Sequence, residues 1–431
     1  MLSQNLDSDS NSQYTRNLLA GYFLMLLTVM IASNFFVFID VFVTLWMGNI
    51  AALGIFVILL IHYNRFTTRE AAAAALVAFA VQIPAIIFYS DHILDSIKSL
   101  GQNANIFSLP CYFIITGILA NESILEKDMA AILKMIFYTS AIVALITFLT
   151  NLNTLYLFAT DTNSYQIAFN GIFHNKNNLG VFCCIGLIVG LYLFYIEEKK
   201  GVIVFLWGIT AVVLVLSLSR AAMVMLLAFI IIFVIKRLGN DDSHNIQNSD
   251  KIIRRLFWGL IIVLVTLFIL IDSFRDFVML KIIRMDAGSA GRINIWNGII
   301  DNFDNNIIFY LFGMGFGELN YRSLKDSHNI YLNIFSTGGL IKCFIYIFIF
   351  VKSLSVIKRL KQYDRLLSDF CFSVAVSYLI FGIFETLIIF EFGLFSFELA
   401  LLFIFIPLLR LPRTEPPASA AVVRRGGNER R

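Results

Sequence analysis

"GVIVFLWGITAVVLVLSLSRAAMVMLLAFIIIFVIK", Gly201 to Lys236, decides the fold. The run is almost unbroken apolar, and as one helix it would be about 54 Å long against a bilayer core of roughly 30 Å. It must therefore fold back. The polar interruption is "LSLSR", Leu216 to Arg220, so two spans meet there with Arg220 at the hinge. The rest of the chain has the same character. Of its residues 59% are hydrophobic, 15% aromatic and only 14% charged, where a soluble domain has about a quarter charged. This composition demands an all-α integral membrane protein.

Apolar runs of spanning length recur near 17–33, 47–63, 71–90, 104–121, 130–149, 177–196, 201–219, 221–237, 255–272, 329–351, 370–389 and 392–410, about twelve transmembrane helices in all. They make 17–410 one transmembrane domain, preceded by a polar amino terminus, 1–16, with no cleavable signal pattern. With that terminus cytoplasmic, the loops holding Arg65 and Arg69, Lys127, Lys199 and Lys200, Lys236 to Arg255, and Lys352 to Arg365 all face inward. The positive-inside rule is then obeyed at every inward loop. The tail 411–431, rich in Pro, Gly and Arg, reads as disordered at the cytoplasmic face of the inner membrane. Cys111, Cys183, Cys184, Cys343 and Cys371 all fall in or beside apolar segments without metal-type spacing. They read as small apolar residues packing between helices, and no metal or other cofactor is expected.

Two longer segments face outward, Thr150 to Asn175 and the partly helical loop 272–327 between spans nine and ten. Long ordered loops are usually functional. The second carries Arg275, Lys281, Arg284, Arg292, Arg322 and Lys325 on the side that normally has few cations, which calls for an anionic partner. Nucleic acid is not expected as that partner.

Several residues could carry chemistry, and each also has a plainer reading. Arg292 lies in "MDAGSAGRINIWNGIIDNF", where Ile293, Trp296, Ile300 and Phe303 have the spacing of an amphipathic helix on the membrane surface. A glycine-rich helix start beside an arginine is an anion site, or the arginine is simply solvated among headgroups. Arg220 either snorkels to the interface or binds a ligand. Two such arginines on one face suit the phosphates of a lipid diphosphate. In "KDSHNIYLN", Lys325 to Asn333, Asp326 and Ser327 are good N-caps for the tenth span. His328 is then an idle first-turn residue, or a general base taking a proton from a sugar hydroxyl.

Weaker candidates complete the set. "GIFHNKNNLG", Gly171 to Gly180, puts His174, Lys176 and three asparagines at the outer start of the sixth span, for sugar contact or for helix capping. Glu385, in apolar sequence near the outer end of the eleventh span, needs a partner, and an arginine is the expected one. Lys342 lies well inside the tenth span and reads as an inward snorkel. "GMGFGE", Gly313 to Glu318, has no strand–helix–strand unit around it and reads as a flexible turn.

Taken in order, "GIFHNKNNLG", "LSLSRAA", "GRINIW", "FGMGFG" and "HNIYLNIFSTGG" resemble the bacterial O-antigen ligases and O-antigen polymerases. The ligase pattern of His, then Asn, Ser or Gln, then Gly after nine more residues is met by His328, Asn329 and Gly339. The pattern continues with Gly, Thr or Tyr, where this chain has Cys343, a departure from a strict ligase.

The resemblance implies a metal-independent, inverting glycosyltransferase working on the periplasmic side. Its donor would be an undecaprenyl-diphosphate-linked oligosaccharide, and its acceptor a glycan or lipid A-core, with room for a chain-length regulator as partner. By position, Arg220 and Arg292 would hold the diphosphate and His328 would activate the acceptor. Arg322, Asn329, Lys176 and Glu385 are accessory candidates. Repeat-unit polymerisation is slightly favoured over ligation to lipid A-core. The competing class, a transporter or flippase, should concentrate its charges at the membrane midplane. Apart from Lys342, the charges here sit at the outer rim.

Overall fold

The computed structural model describes residues 69–80, 126–152, 175–197, 200–237, 290–301, 307–314, 327–387 and 394–411, with isolated positions between them. Among these residues the regular structure is all helical, in the order α1 (Arg69–Ala80), α2 (Glu126–Thr150), α3 (Lys176–Ile196), α4 (Lys200–Leu216), α5 (Arg220–Arg237), α6 (Ala290–Asp301), α7 (Ile307–Phe312), α8 (Ile330–Leu360), α9 (Arg365–Phe381) and α10 (Leu394–Ala400). A π-helical turn, Leu401–Phe405, carries α10 into α11 (Ile406–Arg410). Among the described residues, three stretches are long and apolar enough to cross a membrane, Met129–Thr150, Lys176–Ile196 and Ile330–Leu360, and α4 is a shorter apolar helix. The protein is therefore a multi-pass helical membrane protein. The expected spans 17–33 and 47–63, most of 104–121 and 255–272, and the segments 1–16 and 412–431 lie outside the described residues.

The long apolar run folds back as expected. α4 ends at Leu216, the turn occupies Ser217 to Ser219, and α5 begins at Arg220. The two arms touch each other little: α4 packs mainly on α3 and α2, α5 on α9 and then on α3, and α2 covers a further side of α3. α3 is accordingly the axis of the bundle: from Leu179 to Tyr195 every residue except Leu191 is buried. Cys183 and Cys184 sit in this core as thiols, as does Cys371 on α9. Their expected role as small packing residues is what the structure shows.

α5 packs closely along α9. At its carboxy-terminal end Arg237 pairs with Asp369 at 3.4 Å, and both side chains are almost fully buried. α8 runs on past the expected end of the tenth span to Leu360, but it is broken at Gly339, where φ is 64° and ψ −167°. A β-carbon at Gly339 would collide with the Leu311 carbonyl, and one at Gly313, after α7, would collide with the backbone of Gly338 and Gly339. Met314 N–H also donates to the Ser336 carbonyl at 2.7 Å. The stretch read as a flexible turn is thus locked, in its first residues, backbone to backbone onto α8.

The same region has its own small core. Ile299 and Phe303 meet Phe309 and Met314, and Phe303 stacks on Phe335 of α8 at 4.9 Å between ring centres. This core seats α6 and α7 on the amino-terminal half of α8. Lys342 does not snorkel inward as expected. Its stem lies against Gly338, and its Nζ donates to Thr337 Oγ1 at 3.1 Å in a buried position. A bond to a neighbouring hydroxyl within the helix replaces a long reach to the surface.

The buried ion pair gives a first prediction. Asp369→Ala leaves Arg237 without its carboxylate in a buried place, and should destabilise the protein by about 3–5 kcal/mol. Thermal unfolding in detergent measures this, and Asp369→Leu combined with Arg237→Leu should recover a large part of the loss.

Candidate functional site

The site is built around the end of α9. Helix termini leave carbonyls without intrahelical partners, and lipid offers none. Three successive carbonyls after Phe381 are each taken by a different group. Gly382 O accepts from Ile330 N–H at 2.8 Å, Ile383 O from Asn329 Nδ2 at 3.2 Å, and Phe384 O from Arg292 Nη1 at 3.2 Å. The amino terminus of α8, the first turn of α6 and the end of α9 are thereby drawn to one place.

The cap of α8 differs from the expectation. Asp326 lies outside the described residues, and the N-cap is Asn329, whose Oδ1 accepts from Leu332 N–H at 3.0 Å. Ser327 instead directs its hydroxyl to the Asn329 carbonyl at 2.9 Å. Asn329 prevails because its amide serves two elements at once, capping α8 with the oxygen and binding Ile383 with the nitrogen. His328 therefore stands just before the helix rather than in its first turn. Its φ is 47°, a left-handed conformation uncommon outside glycine and found at functional sites. On the other side of the turn, Trp296 Nε1 of α6 donates to the Ser327 carbonyl at 2.8 Å. Trp296 was legible only as part of an apolar face.

Glu385 follows α9 in a non-helical segment, and its partner is not the expected arginine. Its Oε2 lies 3.7 Å from His328 Nδ1. Its Oε1 accepts from Asn177 Nδ2 at 2.8 Å. Sequence reasoning left the three asparagines of "GIFHNKNNLG" between capping and sugar contact. Asn175 is the cap of α3, accepting from Asn177 N–H at 2.9 Å, while the Asn177 side chain braces Glu385. The signal was available in principle, since a lone carboxylate in apolar sequence must find a donor.

Arg220 reaches this end of the bundle by another route. Gly180, one turn into α3, lies so close to Ser219 that a β-carbon there would collide with it. Leu218 has φ 54°, and Ser217 Oγ bonds the Leu214 carbonyl at 2.6 Å. That tight turn delivers the half-buried Arg220 at the start of α5. Phe169 N–H, from the segment between α2 and α3, donates to Leu216 O at 3.2 Å. Lys176 opens α3, half-buried beside Asn177. Arg322 and His174 lie outside the described residues. The structure thus brings His328 against Glu385, ties Asn329 and Arg292 to the neighbouring carbonyls of Ile383 and Phe384, and sets Arg220 and Lys176 at the same end of α3.

Chemically, the cluster offers a carboxylate next to an imidazole, and a guanidinium of which one N–H is used on a carbonyl. An arginine has five such donors in a planar fork suited to phosphate. Basic and acid–base groups gathered at one end of a helical bundle are suited to an anionic ligand.

Comparison with protein families specifies the class further. Residues 203–347 of the 431 match the family model described as O-antigen ligase. The match supports the O-antigen ligase and polymerase family, and the resemblance seen in the motifs stands with it. It spans Arg220, Arg292 and His328, while Asn177 and Glu385 fall outside it. Comparison with curated proteins gave no match. The family is one of glycan-transferring membrane enzymes, which supports an enzymatic role for this chain in O-antigen biosynthesis.

Proposed function

We propose that the protein transfers a glycan from undecaprenyl diphosphate to an acceptor hydroxyl at the outer face of the bacterial inner membrane. In this reading the domain is 17–410, with both termini cytoplasmic and the loop 272–327 periplasmic. The observation that carries it is the joining of His328, Arg292 and Glu385 around the end of α9. That is the combination needed to hold a diphosphate and to take a proton nearby.

The step is a direct displacement. The acceptor oxygen forms a bond to the anomeric carbon as the bond from that carbon to the diphosphate oxygen breaks, and the configuration inverts. The acceptor proton passes to His328. The negative charge that develops on the departing undecaprenyl diphosphate is met by Arg220 and Arg292, as preorganised donors meet charge forming in a transition state. Asn329 holds the histidine turn, and Lys176 and Arg322 serve as accessory cations. No metal or other cofactor takes part.

Within this chemistry the acceptor is the non-reducing end of another repeat unit, making the protein a polymerase. Cys343, at a position where a strict ligase carries Gly, Thr or Tyr, favours that reading. Ligation to lipid A-core is the second reading, favoured by the description of the matched family model. Loss of a polymerase leaves core capped with a single repeat, and loss of a ligase leaves bare core with polymer stranded on the lipid carrier. The glycan profile of a deletion strain should therefore show single-repeat caps.

The base is tested by His328→Ala in a reconstituted reaction with lipid-linked donor. Transfer should fall by about 10²–10⁴-fold, the usual contribution of a general base. Undiminished transfer would remove His328 from that role.

A further inference from the structure

We propose that Glu385 and Asn177 are positioning residues for His328, a proposal that rests on the assignment of His328 as the base. The His328 side chain is 41% exposed, but its Nδ1 is sealed from solvent. Nδ1 faces the Glu385 carboxylate, whose side chain is only 15% exposed.

A carboxylate facing one ring nitrogen favours the tautomer with the proton on that nitrogen. In that tautomer Nε2 carries the lone pair that takes the acceptor proton. The same carboxylate stabilises the positive charge that the imidazole gains on taking the proton, without itself being protonated. The separation of 3.7 Å is slightly longer than a hydrogen bond, and such contacts tighten when substrate closes the site.

Asn177 supplies the other half of the device. Its amide N–H holds Glu385 Oε1 at 2.8 Å, which prevents the carboxylate from turning away from the ring. Asn177 is anchored in the first turn of α3, whose cap Asn175 fixes its backbone N–H. Gly180, a turn later on α3, presses against Ser219 beside Arg220. One helix end therefore sets the place of the base and that of an arginine, so donor and acceptor ends of the site keep a fixed separation. Asn177, His328 and Glu385 come from three separate segments, a convergence that a capping or packing role for any one of them does not require.

The test measures initial transfer rates of the full-length protein in membranes holding its native lipid-linked glycan, over a range of donor concentrations. Glu385→Gln should lower kcat about 100-fold and Asn177→Ala about tenfold, within the span that acid–base assistance covers, while the KM for donor stays within about twofold. Glu385→Asp should restore part of the rate. In a His328→Ala background, Glu385→Gln should cause no further loss, because residues that act as a unit are not additive. Thermal unfolding of each variant separates misfolding from lost positioning. Full kcat for Glu385→Gln beside an inactive His328→Ala overturns the positioning role alone, as does an equal further loss in the double variant. Undiminished transfer by His328→Ala instead removes the base assignment beneath it.

Discussion

The carbonyls that follow the end of α9 lie beyond its intrahelical bonds and find donors on other elements, and that pairing organises the candidate site. The chain opens at Gly382, Ile383 and Phe384, and the donors that meet these carbonyls are Ile330 N–H, Asn329 and Arg292. Two of the three are side chains singled out for chemistry. Satisfying the end of α9 thus assembles the candidate site, and the next residue, Glu385, is delivered to His328 by the same geometry.

The site also rests on two left-handed residues, Leu218 and His328. Each such conformation costs about 1–3 kcal/mol and persists only where its surroundings impose it. At His328 the surroundings are the Trp296 bond to Ser327, the Ser327 bond to Asn329 and the cap of α8. At Leu218 they are the Ser217 hydroxyl and the contact of Ser219 with Gly180. Both turns hold a functional candidate at the mouth of an apolar helix, and such a fixed presentation lets polar groups act without reorganising when charge develops.

Much of this was legible in the sequence, for definite reasons. The fold-back at "LSLSR" follows from a length that no bilayer accommodates, and the observed turn falls at Ser217 to Ser219. The boundaries of α3 and α5 lie within a residue or so of those expected, because charge and asparagine stop apolar helices sharply. The end of α8 and the start of α9 were less legible, since both helices continue into polar sequence. The cap of α8 was misplaced because Asp326, Ser327 and Asn329 all cap well, and only the position of Ile383 decides among them. The partner of Glu385 was out of reach, because pairing between distant segments depends on how α3, α8 and α9 meet. The lock between Gly313 and Gly339 was hidden for the same reason.

The central claim is that this end of the bundle receives a lipid diphosphate between arginines beside a histidine base. The most direct measurement is binding of undecaprenyl diphosphate, with undecaprenyl monophosphate as the comparison, to the purified wild-type protein and to Arg220→Gln and Arg292→Gln. Each charge-assisted bond lost should weaken the diphosphate by about tenfold or more and the monophosphate by less, with His328→Ala binding as the wild type does. Equal affinity of the arginine variants for the diphosphate would contradict the account.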